Sequence, residues 1–318
     1  MHIFELPPIK TVTMPLYKIE DRLNHIKETS FKLEREIQKL TETNLPTVLK
    51  LEFIRSEFNL NGFRIDTLAY DSESKSFVII EYKRDKTFSV IDQGYAYLSL
   101  MLNNKADFIL EYNECENQTL KRNDVEWSQS KVIFISPSFT SYQREAINFK
   151  DLPIELWEVK KFENDMISFD QVIKTSAKES IKTISRNNEI VEKVSEEVKV
   201  YTEQEHLLKA EFAIREFYEQ FKERLINLDD NITLNPRKHF IGYKIDGNTF
   251  CDIVILAKSL KVTLNLKSNE LDDPKGVARD VSNVGHWGNG AYEIKVTEAD
   301  ELEYIMSLIK QSLKKHKD

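Results

Sequence analysis

Residues 77–80, Phe-Val-Ile-Ile, form an unbroken apolar run, and Glu81-Tyr82-Lys83 follows it directly. A half-exposed strand alternates apolar and polar positions, whereas a continuous run fits a central strand buried on both faces. The neighbouring pattern supplies the cover such a strand needs. Residues 31–43 read as a charged helix with Ser30 available as its cap. Strand-like segments follow at 51–60, 62–70 and 75–83. The first two are joined by Asn61-Gly62, a strong hairpin signal, and the second pair by the polar turn 71–74. A helix is expected over 89–104 with Ser89 as N-cap, then a strand at 106–112 and a polar loop carrying Trp127. A strand at 131–136, a helix at 141–149 and a strand at 154–162 complete the unit. The order αβββαβ, then βαβ, implies an α/β sheet covered on both faces.

A length of 318 residues favours two domains, and 41% hydrophobic residues suffice for two cores. We divide the chain into an extension (1–30), the α/β domain (31–165), a linker (166–202) and a smaller C-terminal α+β domain (203–318). In the linker Ser, Lys, Glu and Asn dominate and apolar periodicity fades. The C-terminal domain opens on a long amphipathic helix at 203–227, with Leu207, Phe212, Phe217 and Phe221 repeating along it. Strands flank the hairpin signal Asp246-Gly247-Asn248, and a third ends on Asn265-Leu266-Lys267. A short helix after Pro274, a glycine-rich loop at 285–290, a strand and a final helix capped by Thr297 and Asp300 follow. This order, with Asp252 on the second strand, is also compatible with a decayed copy of the first domain.

No run approaches the roughly 20 apolar residues of a membrane span, and residues 1–10 lack the pattern of a secretory signal. Cys115 and Cys251 are far apart, which fits two buried thiols in a reducing compartment and a cytoplasmic protein. A net charge of −8 argues against a uniformly basic nucleic-acid-coating surface, though not against a local basic patch.

Glu-x-Lys recurs at Glu158, Glu197 and Glu293, so the motif by itself means little in this chain. The surroundings of Glu81 set it apart. Residues two apart on a strand point the same way, so Glu81 and Lys83 share a face. Asp66 lies on the preceding strand, across a short turn. Two carboxylates on adjacent strands converge on a hard divalent cation such as Mg²⁺, which prefers carboxylate oxygens and water. A metal so held lowers the pKa of bound water and polarises a phosphate, and Lys83 steadies the developing negative charge. The bland alternative is a structural ion pair at a sheet end.

Asp66, followed by Glu81-Tyr82-Lys83 after an apolar strand, resembles the signature of the PD-(D/E)XK nuclease superfamily. Gln93 and Tyr97, four apart on one helical face, match the Gln-x-x-x-Tyr element of some of its branches. The helix at 31–43 resembles the acidic helix that supplies a further carboxylate there, with Glu34 the first candidate and Glu36 the second. The resemblance covers about 130 residues. It implies a restriction-endonuclease-like αβββαβ core and a nuclease dependent on Mg²⁺ or Mn²⁺. The metal ligands it implies are Asp66, Glu81 and the backbone carbonyl of Tyr82. It also implies nucleic acid as partner, DNA before RNA, in repair or defence.

Residues 265–296 resemble a small uncharacterised α/β domain that follows such modules in proteins labelled predicted transport protein. Without a spanning segment, nothing in the residues supports transport. Arg84 and Lys86 are candidate phosphate contacts, with a solvated turn as the alternative. His286 and Trp287 are candidate substrate contacts, with a structured turn as the alternative. A homodimer would assemble a larger binding groove. Two rival functions remain: a catalytically silent nuclease-like binding or regulatory module, and an interaction protein whose C-terminal domain is the functional half.

Overall fold

In the computed structural model, Ser76–Tyr82 forms a strand (β6) in which every residue is buried. The structure describes residues 15–84, 88–116, 119–174, 179–181, 188–286, 288–297 and 302–317. The chain divides between Lys199 and Val200 into two units.

In the first unit β6 pairs antiparallel with β5 (Phe63–Asp71) and parallel with β7 (Lys131–Ser136). Outside these lie β4 (Glu52–Leu60), antiparallel to β5, and β8 (Ile154–Phe162), parallel to β7. Two short strands, β3 (Glu28–Thr29) and β9 (Ile167–Gln171), pair with β8. A separate hairpin joins β1 (Leu16–Ile19) to β2 (Leu23–Ile26). Asn61 and Gly62 have φ of 51° and 81°, the positive pair that a two-residue type I′ hairpin turn requires.

Side chains alternate across β6, and the two cores follow that alternation. Val78 and Ile80 pack with Ile37 of α1 (Glu34–Thr43) and Leu45 of α2 (Leu45–Val48). Phe77 and Ile79 pack with Leu98 and Met101 of α3 (Val90–Asn103) and Phe108 of α4 (Lys105–Glu116). Each such side chain contributes roughly 1.5–3 kcal/mol by leaving water. Both faces of the sheet are therefore covered, and the fold is mixed α/β as expected.

Several local expectations fail. The strand expected at 106–112 is part of α4. Alternation of Phe108, Leu110 and Tyr112 mimics a strand, but Leu110 is 57% exposed while Phe108 and Tyr112, four apart, are buried. The cap of α1 is Leu33, without a side-chain bond, rather than Ser30. The helix expected at 141–149 is the shorter α5 (Ser141–Ala146), and the segment read as linker contributes β9 and α6 (Glu189–Glu197), whose Val191 and Val194 join the first core. Cys251 is buried, but Cys115 is only partly so; both thiols are free.

The second unit is one antiparallel sheet. Its order is β10 (Thr233–Pro236), β11 (Ile241–Ile245), β12 (Asn248–Ile255), β13 (Leu260–Leu264), β15 (Tyr292–Val296) and β14 (Arg279–Asp280). Helices α7 (Glu203–Leu207), α8 (Phe212–Ile226) and α9 (Leu302–Lys317) accompany it. Phe217 and Phe221 of α8 and Ile305 and Ile309 of α9 share its core with Ile253 and Val262. The expected long helix at 203–227 is thus two helices, broken at residues 208–211, and Phe212 is 74% exposed instead of extending the apolar stripe. The short helix expected directly after Pro274 is not formed by residues 274–286, and Asp280 lies on β14 opposite Tyr292. Asp300, half of the expected cap, lies outside the described residues. The unit is not a copy of the first, because β13 meets β15 antiparallel where β6 meets β7 parallel. Among the described residues no helix is long and apolar enough to cross a membrane.

Candidate active site

The backbone ladder between β5 and β6 stops at the pair Thr67 and Ile80. One residue further, side chains replace it. The Asp66 amide donates to Glu81 Oε1 at 3.1 Å, and the Tyr82 amide donates to Asp66 Oδ2 at 3.0 Å. Each carboxylate thus accepts a backbone N–H from the opposite strand, which fixes both where the strands part. Beyond this point β6 stays with β7 through the Lys83 amide, which donates to Ile135 O.

Lys83 Nζ lies 3.2 Å from Glu81 Oε2, as expected for residues sharing a strand face. Glu81 is 2% exposed. Burial raises its pKa, and the neighbouring Asp66 charge raises it further, while Lys83 opposes both. Burial also raises the pKa of Asp66, against the Tyr82 amide bond and the charge of Lys83. The buried Glu81 and the half-buried Asp66 lie beside Lys83, and the raised pKa of both acids favours a proton or a further cation there.

The helix α3 brings the other expected pair. Ser89 caps it by accepting from the Asp92 amide. The Tyr97 hydroxyl donates to Arg64 O at 3.4 Å. Burial and the adjoining Glu81 carboxylate raise its pKa. One turn earlier, Gln93 Oε1 is buried and has no hydrogen-bond partner among the described residues.

The remaining candidates are placed elsewhere. Glu34 accepts from the Arg84 amide at 2.8 Å, and Arg84 Nη1 donates to Lys32 O at 2.6 Å, so these two residues latch α1 to the end of β6. Glu36 accepts from the Lys32 amide. Among the described residues no third acidic, His or Cys side chain joins Asp66 and Glu81 in a metal-sized cluster. The Tyr82 side chain is buried beside Thr67, on the face away from Glu81, leaving its backbone as its link to the site. His286 lies in the second unit, its ring nitrogens 2.9 and 3.0 Å from Val284 O and Gly290 O, so it closes the glycine-rich loop. That loop borders a cavity of about 450 Å³ with Lys267, Ser282, Lys315 and His316. Lys86 and Trp287 lie outside the described residues.

Sequence reasoning missed three residues around Asp66. Gln38 donates to Asp66 O at 2.9 Å, Glu57 takes φ 55° on the strand facing Asp66, and Arg64 Nε meets Glu57 Oε2 at 3.0 Å. Of these only Gln38 carried a signal: it is a polar residue on the same helical stripe as Ile37 and Thr41, both fully buried.

Comparison with known proteins gives the following. A family model described as a domain of unknown function, DUF5655, matches residues 203–314. A protein of Haemophilus influenzae, described as uncharacterised, is 53% identical over 293 residues, covering 92% of this chain and 97% of that one. Among solved structures, a repair endonuclease from Pyrococcus abyssi matches 38% of this chain at 19% identity, with a TM-score of 0.22. EndoMS in apo form matches 42% of this chain at 14% identity, TM-score 0.25, and its complex with double-stranded DNA does so at 13%, TM-score 0.22. These matches span 45%, 59% and 60% of the solved chains respectively.

Proposed function

The chain belongs to the same family as the Haemophilus influenzae protein, and within that family we propose that its first unit is a metal-dependent nuclease of the PD-(D/E)XK class. One observation carries the reading. Where β5 and β6 separate, the Glu81 carboxylate accepts from the Asp66 amide and the Asp66 carboxylate accepts from the Tyr82 amide, with Lys83 on Glu81. A structural ion pair needs one acid for one lysine. Here burial and a second, half-buried acid both raise the pKa of Glu81, which supports a site made for a cation.

The donor set fits Mg²⁺ or Mn²⁺. Carboxylate oxygens of Asp66 and Glu81 and the carbonyl of Tyr82 are hard ligands, and the unpartnered Gln93 Oε1 offers an acceptor for a bound water. When bound, such an ion polarises the phosphate and lowers the pKa of water. Lys83 stabilises negative charge developing on the phosphate oxygens. Tyr97 holds Glu81 in orientation through its hydroxyl, and Gln93 aligns the attacking water. DNA is the substrate the superfamily resemblance implies.

The test is a cleavage assay on plasmid, linear duplex, single-stranded DNA and RNA with Mg²⁺, Mn²⁺ or EDTA. Wild type is compared with Asp66→Ala and Lys83→Ala. Metal-dependent cutting lost in both variants is the expected result. The rival is a silent nuclease-like module that binds nucleic acid. Binding unchanged by either substitution, with no cutting by wild type in any metal, would favour it.

A further inference from the structure

We infer that Gln38 is a positioning residue that sets the direction of the Asp66 carboxylate; this rests on the reading of Asp66 and Glu81 as metal ligands. Gln38 is a buried polar residue on α1, 8% exposed. Its Nε2 faces four oxygens: Asp66 O at 2.9 Å, Glu42 Oε1 at 3.1 Å, Ser56 Oγ at 3.2 Å and Glu57 Oε1 at 3.3 Å. A carboxamide has only two N–H bonds, so the four compete, and the Asp66 carbonyl is the nearest. Glu42 Oε1 already accepts from Thr67 Oγ1 at 2.6 Å, which leaves the carbonyl more dependent on Gln38.

Asp66 needs such a partner because it lies on β5 without a paired residue on either neighbouring strand. Toward β6 the ladder ends at Thr67. Toward β4 the paired residues are Ser56 with Thr67 and Phe58 with Ile65, while Glu57 and Asp66 between them do not pair. Glu57 sits there at φ 55°, in the left-handed region, where a bulky residue stays only if its surroundings hold it. The Asp66 peptide is instead held by two side chains, its N–H by Glu81 and its carbonyl by Gln38. Those two bonds fix the orientation of the residue and so the aim of its carboxylate. Glu81 belongs to the pair itself. Gln38 is the outside support, and outer partners of this kind commonly tune metal affinity by about 10–100-fold.

The experiment measures Mn²⁺ binding to the full chain by electron paramagnetic resonance of free Mn²⁺, with melting in EDTA recorded alongside. Gln38→Met keeps length and apolar bulk but removes the donor. Gln38→Asn keeps the amide, cannot reach the carbonyl, and serves if the first variant does not fold. The expected result is Mn²⁺ affinity weakened about tenfold or more in the folded variant. The metal concentration for half-maximal cutting should shift by the same factor, with the rate at saturating metal retained. A purely packing role would lower the melting temperature and leave Mn²⁺ affinity within about twofold of wild type, which overturns the inference alone. Wild type that binds no Mn²⁺ overturns it together with the metal reading.

Discussion

Glu81→Gln should make the metal-free protein more stable while removing its response to metal. Glu81 is 2% exposed and faces Asp66, so its carboxyl is raised from the ordinary value of 4.5 by burial and by that neighbour. The sign follows from linkage. An acid with a raised pKa in the fold favours the folded state below its unfolded value, and that contribution is lost as pH rises through the raised value. Above it, the folded protein carries a buried charge at a cost of about 1.4 kcal/mol per pK unit. Glutamine keeps the acceptor for the Asp66 amide and cannot ionise. The substitution does remove the partner of Lys83 Nζ, but that side chain is 20% exposed and its charge also acts on Asp66. Allowing for this, we take a net gain of about 1–2 kcal/mol at pH 8, shrinking toward zero near pH 4.5. For a unit of this size that is roughly 2–8 °C in melting temperature. Calorimetry in EDTA at pH 8 and pH 5 measures it. Saturating Mn²⁺ at about 100 times its Kd should then raise wild type by about 2.7 kcal/mol and leave the variant unmoved. A variant that melts lower than wild type at pH 8 in EDTA would refute the reasoning, since the ion pair would then outweigh the repulsion between the acids.

Other outcomes follow from packing. Gly290 has φ 104° and a Cβ there would lie 2.1 Å from Leu264 O, so Gly290→Ala should destabilise the second unit by about 3 kcal/mol or more in urea unfolding. Gly94→Ala would place a Cβ 2.4 Å from Ile154 Cδ1 and 2.9 Å from its Cγ1, so a cost of about 1–2 kcal/mol is expected, read as a fall of roughly 2–8 °C in melting temperature. Phe77→Ala, at a fully buried position, should cost about 3–5 kcal/mol, read from the denaturant midpoint. A chain ending at Lys199 should keep any cleavage activity, because the Asp66 and Glu81 site lies wholly in the first unit; loss of cutting with folding intact would assign function to the second.

The centre of the site was legible because its constraints are local. Apolar residues at 77–80 demand a central strand, and strand periodicity puts Glu81 and Lys83 on one face, where the structure has them. The two-residue turn at Asn61-Gly62 fixed β4 against β5, which carries Asp66. What stayed hidden depends on contacts distant in sequence. Glu34 and Glu36 are the same residue type two positions apart, and only the position of the Arg84 amide shows what the Glu34 carboxylate bonds. Gln38 reaches Asp66 across 28 positions, and the left-handed turn at Glu57 has no glycine or asparagine to announce it. The strand expected at 106–112 failed because Phe108 and Tyr112 satisfy both periodicities, and the exposure of Leu110 decides between them.

The separation of β5 from β6 also gives this protein internal spectroscopic probes. The amide protons of Asp66 and Tyr82 bond to carboxylates instead of carbonyls. Each therefore senses electron density on the oxygen of one acid. A cation drawing on that density would move the nitrogen-bound proton resonances of these two residues before it moved those of the apolar strand beneath. Occupancy could then be followed at Asp66 and Tyr82 individually, without substrate and without turnover.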